Sequence, residues 1–251
     1  MARARCPRPV RADSHSFSLT RGGGDVAEQT REPQYNACLD VRSRKGSATL
    51  GVMTNFVWAT DPKRLCFVLA RYKFVAKMLA GKSRVLEVGC ADAFGSRIVR
   101  QAVRSVTVVD FDPVFTADAE TRMDPDWDLQ VRLHDMLSGP IRENFDAAYS
   151  LDVVEHIARS DERRFLSNIR DSLTAEGVLI LGTPSLESQK YASPGSIAGH
   201  VNCKSGEELK QVLEEFFANV FVFSMNDEVV HTGFYPMAHY LFALCCNMKA
   251  V

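Results

Sequence analysis

Two stretches of this sequence carry residue types that can do chemistry. The first, Val85-Leu86-Glu87-Val88-Gly89-Cys90-Ala91-Asp92-Ala93-Phe94-Gly95, sets small residues where a buried strand must turn abruptly into a helix. Such a turn lets backbone N–H groups approach a ligand closely. A dinucleotide site would place GxGxxG here to receive a pyrophosphate at the helix N-terminus, but only Gly89 of the first pair is present and Phe94 occupies the place of the third glycine. Glu87 and Asp92 would also repel phosphate and attract amino or other cationic groups. Asp110 follows Gly89 by roughly 20 residues at the end of a β-branched run, where a carboxylate can accept hydrogen bonds from two ribose hydroxyls. Phe111 beside it is placed to cover a planar base.

The second stretch, Phe145-Asp146-Ala147-Ala148-Tyr149-Ser150-Leu151-Asp152-Val153-Val154-Glu155-His156-Ile157, ends in a glutamate–histidine pair. A histidine titrating near neutrality suits removal of one proton from a hydroxyl or amine. His156 is the first candidate for that base and His200, in Gly199-His200-Val201-Asn202, the second; each is equally readable as a residue bonded to backbone or packed in a loop. Asp152 and Glu155 can hold a divalent ion together with His156, but no other ligand cluster supports one, so no metal is expected.

Positioning these residues requires alternating strands and helices. Apolar residues recur at helical spacing over 61–79, with Asp61 as expected N-cap and Pro62 in the first turn. Strands are expected at 84–88, 105–110, 129–134, 145–150 and 177–183, with helices at 95–103 and 161–173, and a helix from Pro113 capped by Asp112. Strands separated by helices imply a doubly wound, parallel α/β sheet. Ser205, with Glu207 and Glu208 behind it, opens a helix over 205–217, and 219–224 with 239–246 form a closing strand pair. The polar-aromatic loops 191–202 and 226–239, containing His231, Tyr235 and His239, flank the edge where ligands bind in such sheets and are candidates for an acceptor pocket. Phe56, Trp58 and Tyr72 are candidates for a lid, with plain helix packing as the other reading.

At 251 residues, 46% apolar, the chain suits one large domain. Its formal charge of −1 argues against nucleic acid as a partner and for a small molecule. No apolar run reaches the roughly 18 residues needed for a bilayer span. Seven cysteines without a CxxC pair suggest neither a disulfide framework nor a zinc site, and cytoplasm is the expected compartment. Residues 1–52 differ: Arg3, Arg5, Arg8, Arg11 and Arg21, the Gly22-Gly23-Gly24 run and weak periodicity suggest a disordered or mis-called extension, with Met53 as an alternative start and the domain over 53–251.

Together these motifs resemble class I S-adenosylmethionine (SAM)-dependent methyltransferases, whose first motif is (E/D)xGxGxG. Glu87 and Gly89 match it, while Ala91 and Ala93 stand in place of the later glycines. The stretch from Phe145 to Ile157 is similar to the fourth-strand motif of the small-molecule branch, which includes ubiquinone-biosynthesis O-methyltransferases and many sugar and natural-product enzymes. The resemblance implies a Rossmann-like, mostly parallel sheet with a C-terminal antiparallel strand, SAM as cofactor, and methyl transfer to a small-molecule hydroxyl. It implies cofactor contacts from Glu87, Gly89, Cys90, Ala91, Asp92, Asp110 and Phe111, from Asp135 to the adenine amino group with the Met136 N–H facing the ring, and from Ser150 and Leu151. A non-catalytic SAM-binding protein is the alternative. An NAD-dependent reductase is disfavoured by the missing glycines and the lack of a Tyr-x-x-x-Lys pair after strand four or five.

Overall fold

The computed structural model describes residues 28–249. The chain divides into two units, the first ending at Ala48 and the second beginning at Thr49, four residues ahead of the expected boundary. In the first unit a 3-10 turn leads into α1 (Asn36–Lys45), which buries no residue and ends at Gly46 with a left-handed φ of 73°. The Asn36 side chain accepts from the Thr30 N–H at 3.0 Å, tying down the entry to this helix. Part of the stretch expected to lack structure is thus helical; residues 1–27 lie outside those described.

The second unit is built on an eight-stranded sheet. Its strands are β1 (Arg84–Val88), β2 (Ser105–Asp110), β3 (Gln130–Leu133), β4 (Phe145–Leu151), β5 (Leu173–Pro184), β6 (Phe217–Asn226), β7 (Val229–His231) and β8 (Tyr240–Met248), in the order β3-β2-β1-β4-β5-β8-β6-β7. The first five run parallel, and β8 is inserted antiparallel between β5 and β6. This is a Rossmann-like doubly wound sheet with an antiparallel C-terminal strand. The physical reason lies in the strands: β1, β2 and β4 are buried almost throughout, as parallel strands covered by helices on both faces must be. Two apolar clusters fill the two faces, one around Phe145, Phe165, Leu181 and Phe217, the other around Val75, Val99, Tyr149 and Phe242.

The helices that matter for the site are α2 (Val52–Thr60), α3 (Lys63–Met78), α4 (Ser96–Arg100), α5 (Pro113–Thr121), α6 (Glu162–Asp171), α7 (Pro194–Gly199) and α8 (Gly206–Glu214). Asp112 caps α5, its carboxylate accepting from the Val114 N–H at 2.8 Å, and Ser205 with Glu208 closes a capping box on α8. Asp61 does not cap α3. Its side chain makes no capping bond, because the main-chain carbonyls of Asp61 and Pro62 already take the Arg64 and Leu65 N–H groups. Because β8 is antiparallel to both β5 and β6, those two strands end at the same edge, so the segments 185–204 and 227–239, the second carrying β7, begin at the edge where β1, β2 and β4 end. Among the described residues no helix is long and apolar enough to cross a membrane.

Candidate active site

Parallel register lines up the carboxyl ends of the strands. Val88 pairs with Val109 and Asp110 with Leu133, so Gly89, Asp110 and His134 stand abreast at one edge. Gly89 turns the chain with a φ of 77°, and a Cβ there would lie 2.3 Å from Val153 Cγ2, which excludes any other residue without rearrangement. The next two bends are made by Ala91 and Ala93 at φ 45° and 53°. The backbone therefore adopts the left-handed turns of a glycine-rich loop with alanines in place, at a cost of about 1–2 kcal/mol each. Ala91→Gly and Ala93→Gly are expected to raise stability by about 1 kcal/mol apiece, read as a shift in urea midpoint at constant slope; an unchanged or lower midpoint would mean that the turn carries no strain.

Asp110 is the centre of this half. Its carboxylate accepts from the Ala91 N–H at 2.9 Å and the Asp112 N–H at 3.0 Å, one amide per oxygen, which fixes its plane and leaves a further lone pair on each oxygen. Phe111 beside it is 73% exposed, an unusual position for a large aromatic and one that offers a ring face to a planar base. Asp135, two residues past the end of β3, is exposed and accepts from the Leu137 N–H, while the Met136 side chain is buried in the core and leaves only its backbone for a ligand. The Ser150 hydroxyl donates to the Val88 carbonyl at 2.9 Å and Leu151 is buried, so these two also present backbone. Cys90 is buried, and burial pushes its thiol well up, making it an unreactive wall of the turn.

Glu87 and Asp92 are placed differently from the sequence expectation. Glu87 is buried beneath the turn, accepting from Tyr149 at 2.6 Å and Tyr72 at 3.0 Å. Burial pushes its carboxyl up to about 7, opposed by the hydroxyls of Ser96, Tyr149 and Tyr72. Asp92 accepts from the Thr54 N–H at 2.6 Å and the Thr54 hydroxyl at 3.1 Å, and Asp118 from the Val52 N–H at 3.1 Å, so two remote carboxylates cap α2. Both acids are spent on protein donors that shape the turn. Tyr72 is part of that support, not a lid; Phe56 and Trp58 are exposed on α2.

The other half of the edge lies past β4. Glu155 is fully buried, its Oε2 accepting from the Thr183 hydroxyl at 3.1 Å. Burial, reinforced by the charge of Asp152, pushes its carboxyl up to about 8. Its main-chain carbonyl accepts from the Val201 and Asn202 N–H groups at 2.8 and 2.9 Å, which draws the loop carrying His200 onto the Glu155-His156 turn. The same loop is anchored by buried Lys204, paired with Glu162 at 2.7 Å. As a result the two histidine rings sit 5.1 Å apart, edge to face. Burial, with His156 alongside, holds His200 below the usual histidine range.

Sequence reasoning missed Arg71 on α3. Its Nη1 reaches both oxygens of Asp152 at 2.7 and 2.6 Å, and its guanidinium lies 3.8 Å from the Tyr240 ring centroid. An arginine inside an otherwise apolar helical stripe was the available signal, since a buried cation demands a partner. His231 and His239 are engaged in fixing their own loop, through Asn226 and Gly233 and through the Asp227 N–H respectively, and Tyr235 packs on Gly206.

A family described as a methyltransferase domain matches residues 86–181. A probable S-adenosylmethionine-dependent methyltransferase of Mycobacterium tuberculosis is 27% identical over 119 residues, covering 46% of this chain and 42% of that protein. The chain thus matches less than half the length of this curated relative. Among solved structures, the N-methyltransferase NodS of Bradyrhizobium japonicum with S-adenosyl-L-homocysteine aligns over 76% of this chain and 90% of its own at TM-score 0.57 and 18% identity. A putative methyltransferase of Haloferax volcanii, solved with the Trm112 activator, aligns over 80% of this chain and 100% of its own at TM-score 0.61 and 13% identity. At these identities the structures speak to the fold.

Proposed function

We propose that this chain is a SAM-dependent methyltransferase of small molecules, acting on a hydroxyl of a glycan or other metabolite. The observation that carries the reading is the pairing of two halves on one sheet edge: a pre-oriented carboxylate beside an exposed ring at β2, and a buried glutamate with two imidazoles after β4. The match to a methyltransferase domain over 86–181 spans the first half and reaches Glu155 and His156 of the second.

Asp110 takes the ribose hydroxyls, Phe111 covers the adenine, and Asp135 accepts from its amino group with the Met136 N–H against the ring. Gly89, Cys90, Ala91, Ser150 and Leu151 present backbone to the remainder, while Glu87 holds the turn from beneath and Asp92 ties it to α2. Bound SAM supplies a methyl group already activated by its sulfonium leaving group. The chain's own work is then to align the acceptor and remove its proton. His156 and His200 are the groups for that removal, and an alcohol, unlike a neutral amine, must lose its proton, which favours oxygen over nitrogen. The net charge of −1 supports a small acceptor over a polyanion, and the free state of all six described cysteines supports a reducing, cytoplasmic setting.

Calorimetry with SAM, S-adenosylhomocysteine and NAD, followed by a labelled-methyl screen of alcohols, phenols and amines, tests this. SAM and its product are expected to bind and NAD not to. His156→Ala is expected to keep SAM affinity within about threefold and to cut turnover by roughly 100-fold or more. Absence of SAM binding would sink the proposal, and binding without transfer to any acceptor would favour the non-catalytic alternative.

A further inference from the structure

We infer that Glu155, His156 and His200 form a site for one divalent transition-metal cation at the acceptor end of the edge. Its catalytic use rests on the methyl-transfer reading; its existence does not. A carboxylate oxygen of Glu155 and one ring nitrogen from each histidine lie within 4.8 Å of one another. Bonds of about 2.1 Å to a shared ion ask these atoms to close by roughly an ångström, within reach of side-chain rotation.

Three observations point past mere proximity. Both imidazoles are already oriented through one ring nitrogen: His156 Nδ1 lies 2.9 Å from the Gly199 carbonyl and His200 Nδ1 2.8 Å from Gln189 Oε1. Carbonyl oxygens only accept, so each Nδ1 carries the hydrogen, and in the neutral ring Nε2 then holds the lone pair, the arrangement by which metal-binding histidines are held. The Gln189 amide is itself fixed, donating to the Ser185 carbonyl at 3.1 Å. Next, Glu155 Oε1 is buried without a hydrogen-bond partner, although the residue is fully enclosed. An orphaned carboxylate oxygen is costly, and a cation relieves that cost. Finally, Arg71 takes both oxygens of Asp152, which removes Asp152 from the ligand set and leaves the arginine committed elsewhere.

Two imidazoles and one carboxylate suit Zn²⁺, Mn²⁺, Fe²⁺ or Co²⁺ better than Mg²⁺ or Ca²⁺, which prefer all-oxygen shells. Three protein ligands leave at least one position for an acceptor oxygen. An acceptor hydroxyl held there would lose its proton to solvent; its oxygen would form the new C–O bond as the methyl C–S bond breaks, with no change in the ion's oxidation state. The histidines then assist deprotonation as ligands.

The test uses the full chain, free of any affinity tag and stripped with chelator, titrated with Mn²⁺ by paramagnetic resonance of the free ion and with Zn²⁺ by calorimetry. One ion per chain is expected, with affinity lowered about 100-fold or more in Glu155→Gln and His200→Ala and roughly 10-fold in Gln189→Ala. SAM affinity, measured on the same samples, is expected to stay within about threefold. If Glu155→Gln unfolds, His200→Ala, altered only in a loop, carries the comparison. Wild-type protein that binds SAM but neither ion overturns the inference and leaves methyl transfer standing. Equal ion affinity in wild type and both ligand variants also overturns it. Ion binding lost in the variants, in protein that does not bind SAM, upholds the site and removes its proposed use.

Discussion

Asp110→Ala is expected to weaken SAM binding by two to three orders of magnitude, the largest affinity loss of any single substitution in the nucleotide half. Two charge-assisted hydrogen bonds to ribose hydroxyls at about 1.5–2 kcal/mol each amount to roughly 3–4 kcal/mol, and every 1.4 kcal/mol is tenfold. The substitution also leaves the Ala91 and Asp112 N–H groups without their acceptor. Ala91, held at φ 45° by that bond, is then free to relax out of the turn, so part of the loss is disorganisation of the loop. Asp110→Asn keeps one oxygen and one of the two backbone bonds and is expected to lose only about tenfold. Titration calorimetry with SAM and S-adenosylhomocysteine decides: an alanine variant within threefold of wild type would remove Asp110 from the cofactor site.

The second large effect is on stability against pH and comes from Glu87. Its folded-state pKa is raised from 4.5 to about 7, so between those values the folded chain binds more protons than the unfolded chain. The stabilisation is complete below pH 4.5 and is lost as pH rises through 7, on the order of 3 kcal/mol in all. Glu155, raised to about 8, acts in the same sense. Glu87→Gln keeps the shape and removes the titration. Relative to this variant, the wild type is therefore expected to lose on the order of 3 kcal/mol from pH 4 to pH 8 in denaturant melts. Parallel stability curves for the two proteins would show that Glu87 is not buried as a proton-binding group.

Much of the nucleotide half was legible because local physics settles it. The β-branched run at 105–110 and the short apolar run at 84–88 became β2 and β1 with those bounds, and the Ser205-to-Glu208 spacing became a closed capping box. What escaped depended on partners distant in sequence. Val52–Thr60 is rich in β-branched and aromatic residues and owes its helix to carboxylates from Asp92 and Asp118. Glu87 reads as a ligand for cations until Tyr72 and Tyr149, from a helix and a neighbouring strand, are seen to occupy it. His200 carries no sequence mark joining it to His156; the Glu155 carbonyl, bonded to two amides of the later loop, brings them together.

The borrowed caps on α2 mean that this helix is not an autonomous folding unit. A nine-residue segment of such composition has little helicity of its own, and the amides that would nucleate it are satisfied by side chains from the cofactor turn and α5. Gly51 seals the arrangement, since a Cβ there would lie 2.4 Å from the Asp92 side chain. Local opening of the turn and fraying of α2 are therefore a single cooperative event, and whatever ligand rigidifies the turn also lengthens the life of the helix above it.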